Sequence, residues 1–316
     1  MQVGLPACLR SKLLNLRPRI RYEVIFVPYY FLDMKKISIL CSCLLLAGIS
    51  IAQNNSVINL TKGQKLEVTN SIKAVNTEEM MGQKVEGNAD MMMLNSAEVK
   101  NLNDSGYRIT NTVKRLTSKL TAMGQDMSFD SDKKEDLNSA SGMKEVINVP
   151  KDFTMTRQGG LPPAKKTGGT VPDDGSNAVK LMSQQFLGSM DDAAFGLNDV
   201  FIPLPVNVKV GYRWMDSSTV SGASKAITYI VKSVTADEAV VNIDGILSTD
   251  AKMQVQGMDV ISKTSGTSKG EETIDIKTHV LKHRDLTMTL TGTMEVMDQP
   301  IPVSSKIISS TTVKSL

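Results

Sequence analysis

Few residues in this 316-residue chain could do chemistry, and they are scattered. The two histidines, His279 and His283, stand four apart. On a helix that spacing would let both imidazoles share a zinc ion. On the strand that the flanking alternation predicts, they would lie about 13 Å apart, at about 3.3 Å per residue. A zinc site would also want a third protein ligand. The pair therefore reads as solvated strand residues, and acid–base chemistry would fall to carboxylates. Carboxylates cluster at Asp130/Asp132, Glu135/Asp136, Asp173/Asp174 and Asp191/Asp192. The run from Asp130 to Lys134 begins as a calcium loop does. Its fifth position, however, is Lys134, its twelfth is Ser141, and Glu135 occupies the sixth, where the loop needs glycine. It is a charged turn.

Other candidates fail on similar grounds. Lys165-Lys166-Thr167-Gly168-Gly169 has the composition of a phosphate cradle but lacks the P-loop spacing and a buried strand before it. Met91-Met92-Met93 and Met253/Met258 could offer thioethers to copper(I). Methionine also fills irregular cores, and only nine aromatic residues follow position 52 to do that work. No nucleophile elbow is present. The sequence nominates no catalytic, cofactor or metal residue, and it favours binding over catalysis. A carboxylate-based hydrolase is the catalytic alternative.

The elements that would hold a site are strands. Leu66, Val68, Ile72 and Ala74 alternate with polar neighbours; so do Val206, Val208, Val210, Tyr212 and Trp214, and Leu286, Met288, Leu290, Gly292, Met294 and Val296. Period-2 alternation of this kind marks antiparallel strands with one dry face. Further strands are predicted over 107–113, 226–234, 239–247 and 273–281. Tyr212 and Trp214 would line a core or cavity. Met81-Gly82-Gln83, Met123-Gly124-Gln125 and Met297-Asp298-Gln299 are read as hairpin turns, and Pro300 and Pro302 suit an edge strand. Residues 159–177 are read as a flexible loop, and Val179, Met182 and Phe186 predict one short helix behind an N-cap at Ser176 or Asn177. The expected fold is all-β: a large, strongly twisted antiparallel meander or partly closed barrel with one short helix. Two β-sandwich lobes are the alternative. Segments 53–158 and 178–316 form its halves, joined more readily as one domain than as two.

Residues 34–52 read MKKISILCSCLLLAGISIA: two lysines, an uncharged apolar run and small residues at Ser50 and Ala52. This is the pattern of a secretory signal cleaved between Ala52 and Gln53. The run is shorter than the about 20 residues a membrane span needs, and Cys43 sits too early in it for a lipobox. Residues 1–33 are read as an upstream extension. All three cysteines, Cys8, Cys41 and Cys43, would leave with the signal, taking thiol chemistry with them. Seven basic and two acidic residues would leave as well, so 29 basic and 31 acidic residues remain of the 36 and 33, a net charge of −2. That balance argues against nucleic acid as a partner. The expected address is periplasmic or extracellular, with no transmembrane segment after Gln53.

Several short motifs carry a resemblance. They are Leu60-Thr61-Lys62-Gly63, Phe129-Asp130-Ser131, Phe201-Ile202-Pro203-Leu204-Pro205 and the stretch from Val208 to Trp214. Together they resemble a family of exported proteins of Gram-negative bacteria known as domain of unknown function 6263. In place of that family's Asp-Ser before the tryptophan, this chain has Tyr212-Arg213. The resemblance implies export and a β fold, and no activity. The functional expectation is an exported, non-enzymatic envelope protein that binds an apolar ligand or an envelope partner, or else a scaffolding domain.

Overall fold

Alternation along a strand can be satisfied only where neighbouring strands keep the same residues on the same face. The computed structural model describes residues 57–80, 83–122, 125–139, 143–161, 192–220, 223–255, 258–296 and 299–316. Within them run β1 (Lys65–Met80), β2 (Gln83–Asn103), β3 (Gly106–Ala122), β4 (Gln125–Asp130), α1 (Lys134–Ser139) and β5 (Lys151–Met155). The second half contributes β6 (Arg213–Val220), β7 (Ala223–Val234), β8 (Glu238–Val255), β9 (Met258–Asp275), β10 (Leu281–Val296) and β11 (Gln299–Ser315).

All eleven strands form one sheet in the order β4-β3-β2-β1-β11-β10-β9-β8-β7-β6, with β5 continuing the outer edge of β3 beside β4. Every strand pair is antiparallel, and β1 against β11 joins the two halves. The sheet is the expected meander. It ends on β4 and β6 without closing, and it is one sheet, not two lobes. Six connections are two residues long, with pairing that runs to Met80↔Gln83, Asn103↔Gly106, Ala122↔Gln125, Val220↔Ala223, Val255↔Met258 and Val296↔Gln299. Three of these are the predicted turns, whose central pairs 81–82, 123–124 and 297–298 lie outside the described residues.

Four expectations need correction. Residues 206–212 are turns and irregular backbone; only Arg213 and Trp214 of that run belong to a strand. Asn207 and Gly211 take positive φ (59° and 82°), which ends a strand whatever the side-chain alternation. Residues 273–281 are not one strand, because β9 stops at Asp275 and β10 starts at Leu281. The Asp275 carboxylate accepts from the backbone N–H groups of Lys277 and Thr278 and from the Thr278 hydroxyl, folding the chain back. Pro300 and Pro302 begin β11, an interior strand. They are tolerated because pairing with β1 reaches only Val303. The predicted loop and helix, 159–177 and 178–186, lie outside the described residues from 162 on. The observed helix, α1, occupies the polar stretch read as a turn, and its Leu137 packs on the core.

Two segments cover the inner face. Residues 143–147 place Met143, Val146 and Ile147 on Met91, Leu116 and Phe129. Residues 192–204 bury Ala194, Phe195, Leu197, Val200, Phe201 and Leu204, none more than 6% exposed. At roughly 1.5–3 kcal/mol per large side chain, this second segment contributes much of what holds the inner face dry.

Candidate functional site

The 192–204 segment is fixed by polar groups set among apolar ones. Asn70, Asn95 and Asn111 stand on the inner faces of β1, β2 and β3. Asn70 donates to the Gly196 carbonyl, Asn95 to Phe195, and Asn111 to both Ala193 and Phe195, each at 3.0 Å. Asn95 also donates to the Asn111 side-chain oxygen at 3.0 Å. Gly196 has φ +78°, and a Cβ there would fall on the Met93 methyl. Further on, the Leu281 N–H donates to the Val200 carbonyl at 2.8 Å and that of Ile202 to His279 at 2.9 Å. The segment thus crosses from β2 and β3 to the β9–β10 turn. It forms one wall of a cleft whose other wall is the sheet.

Registers line up across six strands, so inward residues form rows. The row beside the segment reads Asn70, Thr311, Arg284, Glu272, Val241 and Val231 from β1 to β7. Two residues further along the strands come Ile72, Ser309, Leu286, Gly270, Ile243 and Tyr229. Then follow Ala74, Ile307, Met288, Ser268, Gly245 and Ile227. A fourth row holds Asn76, Ser305, Leu290, Gly266, Leu247 and Lys225. Over these rows lies a cleft of about 350 Å³, walled by Gly196, Asn198, Asp199 and Val200.

Its floor is an ion-pair cluster. Arg284 gives Nε and Nη2 to Glu272 Oε2 at 2.9 and 2.6 Å, and its Nη1 lies 2.9 Å from Asp199 Oδ2. The Glu272 side chain is fully buried, and among the described residues its Oε1 has no hydrogen-bond partner. Burial raises the Glu272 pKa above the usual carboxylate range, although Arg284 pulls it down. Burial alone would lower Arg284, but the Asp199 and Glu272 carboxylates reverse that and hold it above its ordinary value. Tyr229, stacked on Trp214 at a centroid distance of 5.0 Å, has its pKa raised, first by burial and then by Glu272. Two carboxylates converging on one guanidinium make a structural clamp. With Glu272 sealed from solvent, they are not an acid–base pair open to a substrate.

Residues singled out from sequence do not gather here. His279 is buried in the β9–β10 turn at φ 59°, so it is not the solvated strand residue expected. Its pKa is lowered by burial. His283 is exposed on β10 and bonds Thr312 and Asp285. Asp130 and Asp132 both meet Arg115, and the Asp130 pKa is lowered by the Asp132 N–H and then by Arg115. Met91 and Met93 are core residues. Met253 and Met258 fall outside the residues whose side chains are described, as do Lys165 to Gly169, Asp173, Asp174, Asp191, the cysteines and the Ala52–Gln53 junction. Among the described residues no His, Cys, Asp and Glu cluster could hold a metal. Tyr212 is exposed and Trp214 packs on Val208, Tyr229 and Leu204, while Val206 and Val210 face solvent.

Glu272, Arg284 and Lys225 were missed by motif reading, although the sequence carries their signal. Each is a charge in phase with the apolar alternation: Glu272 before Ile274, Arg284 before Leu286 and Met288, Lys225 before Ile227 and Tyr229.

The family profile described as "family of unknown function (DUF6263)" matches residues 104–281, more than half of the chain. The chain belongs to the DUF6263 family. The matched span includes Gly196 to Val200 and the β7–β9 residues that line the cleft, and leaves out its lining from β1, β10 and β11, Arg284 included. Comparison with curated proteins gives no match. Among solved structures, the chain is similar to an outer membrane channel of Pseudomonas putida F1, with 9% identity, 84% of this chain and 100% of that chain covered and a TM-score of 0.20. It is also similar to the translocator domain of the autotransporter NalP of Neisseria meningitidis (8%, 89% and 97%, 0.19). A third similarity is to OpdQ of Pseudomonas aeruginosa (8%, 81% and 100%, 0.21). At such scores these likenesses say nothing about function.

Proposed function

We propose that this DUF6263 protein is an exported, non-enzymatic β-sheet protein that holds an apolar ligand in the inner-face cleft. The observation that carries the reading is a mismatch between lining and filling. Ile227, Leu247, Leu286, Met288 and Leu290 point inward in register, yet none is fully buried, and about 350 Å³ lies over them. That volume is at the lower end of the roughly 300–1,000 Å³ of small-molecule pockets. The outer face is the wet one: Thr287, Thr289, Thr291 and Thr293 on β10 lie beside Lys263 and Lys269 on β9. A membrane-spanning barrel has the reverse polarity, apolar toward lipid. No described helix is long and apolar enough to cross a membrane.

Export to the periplasm or beyond rests on the 34–52 segment, and N-terminal sequencing of exported protein should begin at Gln53. The ligand reading is tested with N-phenyl-1-naphthylamine, a neutral apolar fluorophore. Saturable binding is expected, weakened at least about tenfold (1.4 kcal/mol) by Met288→Trp, which fills the cleft. Absence of saturable binding to the unaltered protein would overturn the reading.

A further inference from the structure

The cleft is chemically polarised, and its polarity identifies the ligand class. At the floor, Arg284 is matched against both Glu272 and Asp199, so that end is neutral or negative and offers nothing to an anion. Three rows away, about 20 Å along the strands at about 3.3 Å per residue, stands Lys225. It lines the cleft, is half-buried, and makes no ion pair among the described residues. The nearest inward carboxylate on β6, Asp216, is in register with Ile227, exposed, and not paired with it. Leu286, Met288 and Ile227 lie between floor and lysine, and Leu290 and Leu247 share the lysine's own row. The acyl chains of one lipid leaflet span about 15 Å, half of the roughly 30 Å hydrocarbon core, which is close to this apolar length.

We propose that the ligand is a single-chain amphiphile with an anionic head, its chain laid along the apolar rows and its head paired with Lys225 at the mouth. This rests on the reading that the cleft takes an apolar ligand. A lysine partly removed from water binds an anion more firmly than an exposed one does, because screening is weaker there. The volume suits one chain better than the two of a phospholipid.

The test is displacement of N-phenyl-1-naphthylamine by dodecanoate, dodecyl phosphate and dodecanol. Each ligand is titrated into the unaltered protein and into Lys225→Gln and Lys225→Arg. In the unaltered protein the two anions should outcompete the alcohol. Lys225→Gln should weaken the anions about tenfold and leave the alcohol unchanged, while Lys225→Arg should keep anion binding. The ranking of carboxylate against phosphate then distinguishes a fatty acid from a phosphorylated chain as the source of the head. Equal anion binding by the unaltered protein and Lys225→Gln would overturn the proposal, as would a fluorophore that binds but yields to none of the three. A fluorophore that does not bind at all would instead overturn the apolar-ligand reading beneath it.

Discussion

Replacing Arg284 with methionine isolates the energetics of the cleft floor. The guanidinium supplies both hydrogen bonds that reach Glu272 Oε2, and Oε1 already has no partner among the described residues. Arg284→Met therefore strands a carboxylate whose side chain has no solvent exposure. Removing one member of a buried pair costs about 3–5 kcal/mol, a large share of the roughly 5–15 kcal/mol that stabilises a domain. Asp199 adds little to that cost, because its side chain is 68% exposed and water replaces its partner.

The variant should also acquire a distinctive pH dependence. Burial already raises Glu272 in the native protein, and loss of Arg284 removes the groups that pull it down. A carboxyl whose folded pKa exceeds its unfolded one binds more protons when folded. Stability then falls as pH rises from the ordinary carboxylate range through the folded pKa. Urea unfolding at several pH values between 5 and 8 reads this directly, because the sole tryptophan, Trp214, stacks on Tyr229 beside the cluster. Arg284→Met should be weakest at pH 8 and recover toward pH 5. The double variant Glu272→Leu/Arg284→Met should regain most of the loss and be flat with pH, since a packed apolar pair often equals a buried ion pair. A single variant that loses less than about 1 kcal/mol, with no pH dependence, would mean that Glu272 is hydrated and the floor is not sealed.

Two further variants probe the scaffold. Asn95→Ala removes the bonds to Phe195 and Asn111 and should cost about 2–3 kcal/mol. In hydrogen exchange, the Leu281 amide that donates to Val200 should lose protection before the amides pairing β1 with β2. At Gly266 a Cβ would fall on the Thr289 carbonyl oxygen. Gly266→Ala should therefore part β9 from β10 and cost about 1–3 kcal/mol in urea unfolding, where an unchanged midpoint would mean that the strands are not so close.

Alternation made β1, β3, β7, β8 and β10 legible, because each has one largely apolar inward face. It misled at 206–212, where Val206 and Val210 alternate correctly but are 51% and 63% exposed and Asn207 and Gly211 turn the chain. Alternation cannot see φ. β9 was hidden for the opposite reason: before Ile274, its inward positions from Thr264 on are Thr264, Gly266, Ser268, Gly270 and Glu272, none of which looks like core, and its pairing with β8 and β10 makes it a strand. α1 has one apolar anchor, Leu137, too few to show a helical period. Of the site, the apolar lining was legible through alternation, at Ile72, Leu286, Met288 and Leu290. The floor and Lys225 depend on five registers that bring residues from 70 to 311 into common rows, and no local pattern encodes that convergence.

The cleft is also not a simple failure of packing. A broad sheet with one wet face must cover the other, and this chain covers β1 to β3 thoroughly with residues 143–147 and 192–204. Over β7 to β10 the cover extends to Leu204 and the Arg284 row and then stops. The rows beyond could have been filled by large side chains from β8 and β9. β9 carries only Gly266, Ser268 and Gly270 there, and β8 places Gly245 between Ile243 and Leu247. At Gly266 and Gly270 a Cβ would strike the β10 backbone, so close strand approach demands glycine. At Gly245 the nearest atom to such a Cβ is Ile227 Cγ1, at 3.2 Å, a side chain that could shift. Glycine there is not forced by backbone, and with Ser268 beside it the third row stays shallow under Met288 and Ile227. Small residues where the backbone does not require them, beneath apolar ones left partly uncovered, are what a sheet needs if the missing part of its core is to come from a ligand.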